Sequence, residues 1–396
     1  MTHKIMRTAG ACLAASLLLV AAKNASAADC STFTKPVYLI GSSAMKPFVK
    51  ALAAALSGTV TLVYQGPGSC NGPDAIINGT KMTGTASVFD SAGTETSCTL
   101  PTAGQTADVG ASDVFATSCD FLGITTVPAT VGDFWGPTQV MNFVVPTASS
   151  QKSISGEAAY LAFGLGAAGE ASPWTDINFM FVRDQKSGTQ QMLGRAIKVP
   201  ANKWQGIPST SGSGGVLTSV TSSTSPEKTI GILASDVADA NRDKLNILAF
   251  KAFGQTCGYL PDSTATSFDK INVRDGHYPV WGPLHFYTKI DATTKVPTNP
   301  DAKNFVGYFD GSVATPTGVN LMDLEITSHT VPQCAMKVKR SSELGALASF
   351  QPDVPCGCYF EKKATGTAPA ACTVCTDDAG CTGTAKHCRF GFCEAK

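Results

Sequence analysis

The 396-residue sequence predicts an α/β protein of two lobes followed by a small disulfide-rich C-terminal appendage. Three observations carry this expectation. Short β-rich apolar runs alternate with helix-like runs, the chain is longer than one core usually serves, and the composition changes after Phe350. Alternating β and α segments favour sheets that hold ligands at the carboxyl ends of their strands, and a single hydrophobic core stops growing beyond roughly 250–300 residues.

Residues 1–28 have the layout of a cleavable secretory signal. Lys4 and Arg7 precede an apolar run from Ala9 to Ala22, and small residues end at Ala27 and Ala28. That run is shorter than the roughly 20 residues a membrane span requires, and no later run is longer, so a soluble, exported chain is expected. Strands are expected at Val37 to Ile40, Thr59 to Tyr64, Val140 to Val145, Phe179 to Val182, Ile230 to Ala234, Leu245 to Phe250 and Leu284 to Ile290. Helices are expected at Phe48 to Leu56 and Glu157 to Leu165. Two stretches rich in Ser, Thr and Gly, Met82 to Ala107 and Ser209 to Pro226, read as surface loops. The first lobe is expected from residues 29–140 and 280–350, the second from 141–279, and a cysteine-rich tail from 351–396. The crossings between lobes are expected at Thr138 to Pro146 and Gly276 to Pro283.

Basic and acidic residues number 30 each. Without Lys4, Arg7 and Lys23 the balance is 27 to 30, a net charge of −3, which argues against a nucleic-acid partner. Removing Cys12 from the 14 cysteines leaves 13, an odd number in a compartment that favours pairing. One thiol is therefore free, or pairs outside the chain, or the cleavage point lies elsewhere. The tail, with Cys356, Cys358, Cys372, Cys375, Cys381, Cys388 and Cys393, reads as a disulfide-stapled module with Lys362 to Ala371 as an internal linker. The Cys372-x2-Cys375 spacing and His387 suit zinc as well, but export removes the conditions that keep thiolates free.

Four short segments carry the chemistry: Gly41-Ser42-Ser43, Gly66-Pro67-Gly68-Ser69-Cys70-Asn71-Gly72, Gly110-Ala111-Ser112-Asp113 and Ser187-Gly188-Thr189. A turn of small residues that opens into a helix gathers backbone N–H groups, hydroxyls and the positive end of a helix dipole, which suits an anion. Ser187 with Gln190 forms a capping-box pattern ahead of Met192, Leu193, Ala196 and Ile197 on one face. Arg183 adds a permanently charged, fork-shaped donor. Asp113 beside such a site would repel an anion unless the ligand carries a proton to donate, as phosphate does near neutral pH and sulfate does not. A buried acceptor left without a donor costs about 1–3 kcal/mol, and more when charged.

In this order, Tyr64-Gln65-Gly66-Pro67-Gly68-Ser69, Gly110-Ala111-Ser112-Asp113 and Arg183-x3-Ser187-Gly188-Thr189 resemble the phosphate-binding proteins of ABC phosphate importers, of the type II periplasmic binding fold. The likeness runs from about Val37 to Tyr308 and takes in Leu39-Ile40-Gly41-Ser42-Ser43 and Gly212-Ser213-Gly214-Gly215-Val216. It implies ligand contacts from Ser69, Asp113, Arg183, Ser187, Gly188 and Thr189, with Ser43, Ala44 and Met45 contributing mainly backbone. Ala44 and Met45 stand where the family commonly has a hydroxyl, and Gln185 where it has an acid; Asp184 is the substitute at hand. Cys70 inside a presumed ligand loop is expected in a disulfide, to Cys98 or Cys119.

The implied protein is a monomer at the periplasm or cell surface that binds phosphate or a similar oxyanion, with an ABC transporter complex as its partner. No catalytic group, cofactor or metal is expected: the sequence has neither G-x-S-x-G nor H-E-x-x-H, and His277 and His285 read as structural. The other function in view is a surface protein for adhesion or sensing that keeps the binding fold and uses the cysteine module as its contact element.

Overall fold

A computed structural model describes residues 27–395. The expected signal, residues 1–28, lies outside the described residues except for its last two positions. Chain order begins with β1 (Ala28–Asp29), β2 (Pro36–Gly41), α1 (Lys46–Leu56), β3 (Thr61–Gln65) and the single turn α2 (Asn71–Pro73). Then come β4 (Thr85–Phe89), β5 (Glu95–Thr99), β6 (Val109–Ser112) and the long β7 (Val131–Pro146). The middle of the chain forms β8 (Ser153–Ser155), α3 (Gly156–Leu165), β9 (Met180–Val182), α4 (Gly188–Ala196), β10 (Ile207–Pro208) and α5 (Gly212–Thr221). It continues through β11 (Ile230–Ala234), α6 (Ser235–Asp239), β12 (Leu245–Ile247), β13 (Ala249–Lys251) and α7 (Ile271–Arg274). β14 (Trp281–Lys289), α8 (Pro300–Asp310), α9 (Leu321–Thr327), β15 (Val338–Lys339) and β16 (Ala348–Ser349) follow, and α10 (Gly357–Thr365), β17 (His387–Arg389) and β18 (Phe392–Glu394) form the tail.

The main sheet runs in the order β1-β5-β4-β3-β2-β6-β14-β7-β11-β9-β10, with β12 also on β7. β7 joins its two halves. Residues 131–140 of β7 pair with β14, whereas residues 141–146 pair with β11 and β12. In the first half β2 lies parallel to β3 and β6, which brings the ends of all three strands to one edge. α1 covers this half because Phe48, Val49, Leu52, Ala53 and Leu56 recur on one face and are all buried, and a Pro in its first turn is preset for a helix start. Each large side chain so buried stabilises the fold by roughly 1.5–3 kcal/mol. The second half packs around Phe143, Phe163 and Phe250.

Two expected loops are ordered instead. The segment from Met82 contains the β4–β5 hairpin, in which Ala86, Val88 and Cys98 are buried while Thr85 and Ser97 face out. Threonine and serine there occupy the solvent face of a thin edge hairpin, so composition suggested a loop where period-two burial makes strands. The Ser209 to Pro226 stretch contains α5, because Val216 and Val220 recur four apart and are fully buried beside β11. The run from Leu245 to Phe250 divides at Leu248 into β12 and β13, which join different sheets.

Among the described residues six disulfides are formed, as fits an oxidising, extracytoplasmic compartment. Cys70 pairs with Cys119 and Cys98 with Cys30, and all seven tail cysteines are bridged. Among the described residues the thiol outside the disulfides is Cys257, which is exposed. The first part of the expected tail linker is helical, since Lys362 to Thr365 belong to α10. That helix docks on the body through buried Phe360, the Arg274–Glu361 ion pair at 2.5 Å and Lys363–Asp323 at 2.8 Å. Among the described residues no helix is long and apolar enough to cross a membrane.

Candidate functional site

The ends of β2, β3 and β6 deliver Ser42, Ser69 and Asp113 to one buried point. Asp113 is 1 % exposed, and its Oδ2 accepts from Ser42 Oγ at 2.5 Å and from Ser69 Oγ at 2.8 Å. Ser69 Oγ accepts in turn from the backbone N–H of Gly188 at 3.0 Å. The Ser69 hydroxyl is thus one of the contacts by which the two sheet halves meet. Close approach of the backbones is obligatory here: a Cβ on Gly41 would lie 1.7 Å from Ala111 O, and one on Gly188 would lie 2.4 Å from Ser69 Oγ. The remaining carboxylate oxygen, Asp113 Oδ1, is buried with no partner.

Ser187 caps α4 as the sequence indicates, its Oγ accepting from Gln190 N at 3.4 Å. The reciprocal half of the capping box does not form. Gln190 turns instead to the preceding strand, accepting from Arg183 N at 2.7 Å through Oε1, and donates to Ala201 O at 2.6 Å. This holds the backbone of Arg183 against the start of α4. The Arg183 side chain is 3 % exposed; Nη1 donates to Ser213 Oγ at 3.0 Å, and Nε has no partner. Asp184 stands near Arg183 as a countercharge, while its Oδ1 accepts from Lys186 N at 2.7 Å. Ser213, one residue into α5, also lies 3.3 Å from Ser43 Oγ, so a hydroxyl bridge links Arg183 to the loop between β2 and α1.

Arg183, Ser43 and Ser213 face a hollow of about 700 Å³ whose walls include Lys46, Tyr64, Pro67, Asp184 and the stretch 208–214. Ser69, Asp113 and Gly188 are joined to one another outside those walls. Ala44 and Met45 are buried, and the Ala44 N–H donates to Ser42 Oγ at 3.1 Å. Thr189 is buried in the first turn of α4. The structure thus divides the nine expected contacts between the rim of the hollow, the hydrogen-bonded knot around Asp113 and the loop backbone. Sequence reasoning missed the roles of Ser42, Ser213, Tyr64 and Gln190. Both serines lie in segments already marked by their Gly/Ser composition, but which hydroxyl points inward depends on the fold.

Electrostatics at the knot follow from burial. Desolvation raises the Asp113 pKa above the ordinary carboxylate value, opposed by the hydrogen bonds from Ser42 and Ser69 and by the Arg183 charge. Asp236, at the start of α6, is pushed well up by burial and then by repulsion from Asp113, so two carboxyls from opposite halves influence each other. Burial lowers the Arg183 pKa against the pull of Asp184 and Asp113. The hydroxyl of Tyr64 donates to Ser42 O, and burial raises its pKa well above the phenolic value. A buried guanidinium with an unpartnered N–H, beside two hydroxyls, can receive an oxyanion with charge-assisted hydrogen bonds.

No family model matches the sequence, and no curated protein matches it. Among solved structures, one similar fold is a protein from Clostridium perfringens described as a phosphate ABC transporter substrate-binding protein with bound phosphate. It has 14 % identity and a TM-score of 0.50, covering 75 % of this chain and 99 % of that one. Another is described as an ABC-type phosphate transport receptor from Vibrio cholerae, with 13 % identity and a TM-score of 0.46, covering 75 % of this chain and 100 % of that one. The Clostridium likeness, together with the strand order and the bridged tail, gives the chain the two-lobed α/β fold of substrate-binding proteins of this type, extended by a disulfide-rich C-terminal appendage.

Proposed function

We propose that this protein is an extracytoplasmic solute-binding protein that captures phosphate or a closely similar oxyanion between two lobes, as the receptor of an ABC importer. The observation that carries the reading is Arg183, nearly fully buried, with an unpartnered Nε and with Ser213 and Ser43 at its side. A cation kept out of water is costly unless a counter-charge meets it, and its fork matches a tetrahedral anion. The similar fold from Clostridium perfringens, described with bound phosphate, supports the same ligand class.

In this reading Arg183, Ser187, Gly188 and Thr189 belong to one lobe, and Ser43, Ala44, Met45, Ser69 and Asp113 to the other. An anion touching both favours the closed arrangement. Asp113 Oδ1 is the acceptor for a protonated ligand oxygen, which sets phosphate apart from sulfate. Binding, and not catalysis, is the activity, and a periplasmic or cell-surface location follows from the expected leader and the disulfides. Titration calorimetry with inorganic phosphate and sulfate tests it: the wild type binds phosphate, and Arg183→Ala loses at least a hundredfold in affinity. Unchanged phosphate affinity in that variant rejects the site, and failure of the wild type to bind either anion favours the adhesive or sensing role.

A further inference from the structure

The hollow in front of Arg183 is much larger than a phosphate ion needs. Its volume of about 700 Å³ lies within the roughly 300–1,000 Å³ typical of sites for drug-sized molecules, whereas phosphate has five heavy atoms. The hollow opens to solvent on its outer side. The two halves of the sheet already touch around its inner end, through Gly188 N to Ser69 Oγ at 3.0 Å, Cys70 N to Lys186 O at 2.9 Å and Ser43 Oγ to Ser213 Oγ at 3.3 Å. The space that remains is bounded by walls in contact at the anion end.

The lining says what the extra space suits. Arg183 is the buried cation at the inner end, whereas Lys46 on the wall is half-exposed and already has Glu95 as its partner at 2.8 Å. Asp184 on the same wall disfavours further negative charge. Thr210 and Ser211 are exposed hydroxyl residues, and Tyr64, Pro67 and Pro208 supply small apolar surfaces between polar groups. A single charged head with an uncharged, hydroxyl-bearing body matches this distribution.

We infer that the occupant of this site is a phosphomonoester of a small polyol, its phosphoryl group on Arg183, Ser43 and Ser213 and its body along the stretch 208–214. The inference rests on the reading of Arg183 as the oxyanion anchor. The body gains contact only if the outer hollow stays open, and Gly214 lies on its wall with room for a larger side chain to fill it. A Cβ on Gly214 meets nothing within 4 Å, and the residue faces both this hollow and the adjoining one of about 670 Å³.

Calorimetry on the exported chain, freed of its leader, with inorganic phosphate, glycerol 3-phosphate and glycerol decides the matter, with Gly214→Phe as the variant. Glycerol 3-phosphate is expected to bind at least tenfold more tightly than inorganic phosphate, and glycerol alone not to bind. Gly214→Phe is expected to weaken glycerol 3-phosphate at least tenfold and to leave phosphate within twofold. Tighter binding of phosphate than of the ester overturns the inference and leaves the anion site standing, as does a Gly214→Phe variant that weakens both ligands equally. If neither ligand binds, the reading of Arg183 falls and the inference falls with it.

Discussion

Ser69 donates its hydroxyl hydrogen to Asp113 at 2.8 Å while accepting the Gly188 N–H at 3.0 Å, so a single side chain bridges a buried carboxylate and a helix N-terminus from the other half of the sheet. Ser69→Ala removes both bonds at once. It is expected to destabilise the protein by about 1–3 kcal/mol, because the buried Gly188 N–H loses its acceptor and Asp113 Oδ2 keeps only the Ser42 hydroxyl. Denaturant unfolding measures this; a midpoint identical to wild type would show that water replaces the hydroxyl without cost.

Asp113→Asn tests selectivity rather than stability. The amide keeps the shape but no longer repels a fully ionised anion, and it can donate. Sulfate affinity is expected to rise relative to phosphate by at least tenfold in competition calorimetry at neutral pH. An unaltered ratio would remove Asp113 from ligand discrimination.

Two glycines give opposite expectations. In Gly188→Ala the new methyl group would sit 2.4 Å from Ser69 Oγ and 2.9 Å from Asp113 Cβ, which demands movement of a packed knot and costs about 1–3 kcal/mol. Gly214→Ala meets open space within a helix and is expected to be neutral or to stabilise by up to about 1 kcal/mol. Thermal unfolding of the pair checks both signs.

The Cys70–Cys119 bridge ties the loop carrying Ser69 to the segment that follows Asp113. Replacing both cysteines with serine is expected to cost about 2–4 kcal/mol by freeing the unfolded chain, and to weaken phosphate binding because the loop loses its anchor. Stability and affinity falling together is the expected pattern. A loss of stability with unchanged affinity would show that packing alone positions the loop.

Glu325 in α9 gives the pH dependence. Burial raises its pKa from 4.5 to about 8. The unfolded chain releases the proton near 4.5 and the folded chain keeps it to about 8, so folding binds a proton in this window. Stability therefore falls as pH rises across it, by up to about 1.4 kcal/mol per pH unit, and levels off above. Glu325→Gln should flatten that slope, matching wild type near pH 4.5 and exceeding it near pH 8 in denaturant titrations. Parallel curves for the two proteins would refute the assignment.

The sequence by itself determined the features that depend on local pattern. Apolar runs placed β2, β3, β11 and β14, the Ser187–Gln190 spacing marked the start of α4, and the odd cysteine count implied a thiol without a disulfide inside the chain, unless the cleavage point lies elsewhere; among the described residues that thiol is Cys257. Each follows from backbone geometry or from arithmetic within a short stretch. The tertiary structure decided what depends on distant partners. It chose Cys119 over Cys98 for Cys70, turned Gln190 toward Arg183 in place of Ser187, and ordered the Ser/Thr/Gly stretches as β4, β5 and α5 through a few buried side chains. It also selected Ser42 and Ser69 as the donors to Asp113 and put Ser213 beside Arg183. Which hydroxyl faces inward, and which thiol lies within reach, depends on contacts between residues tens of positions apart, and no local pattern of residues encodes them.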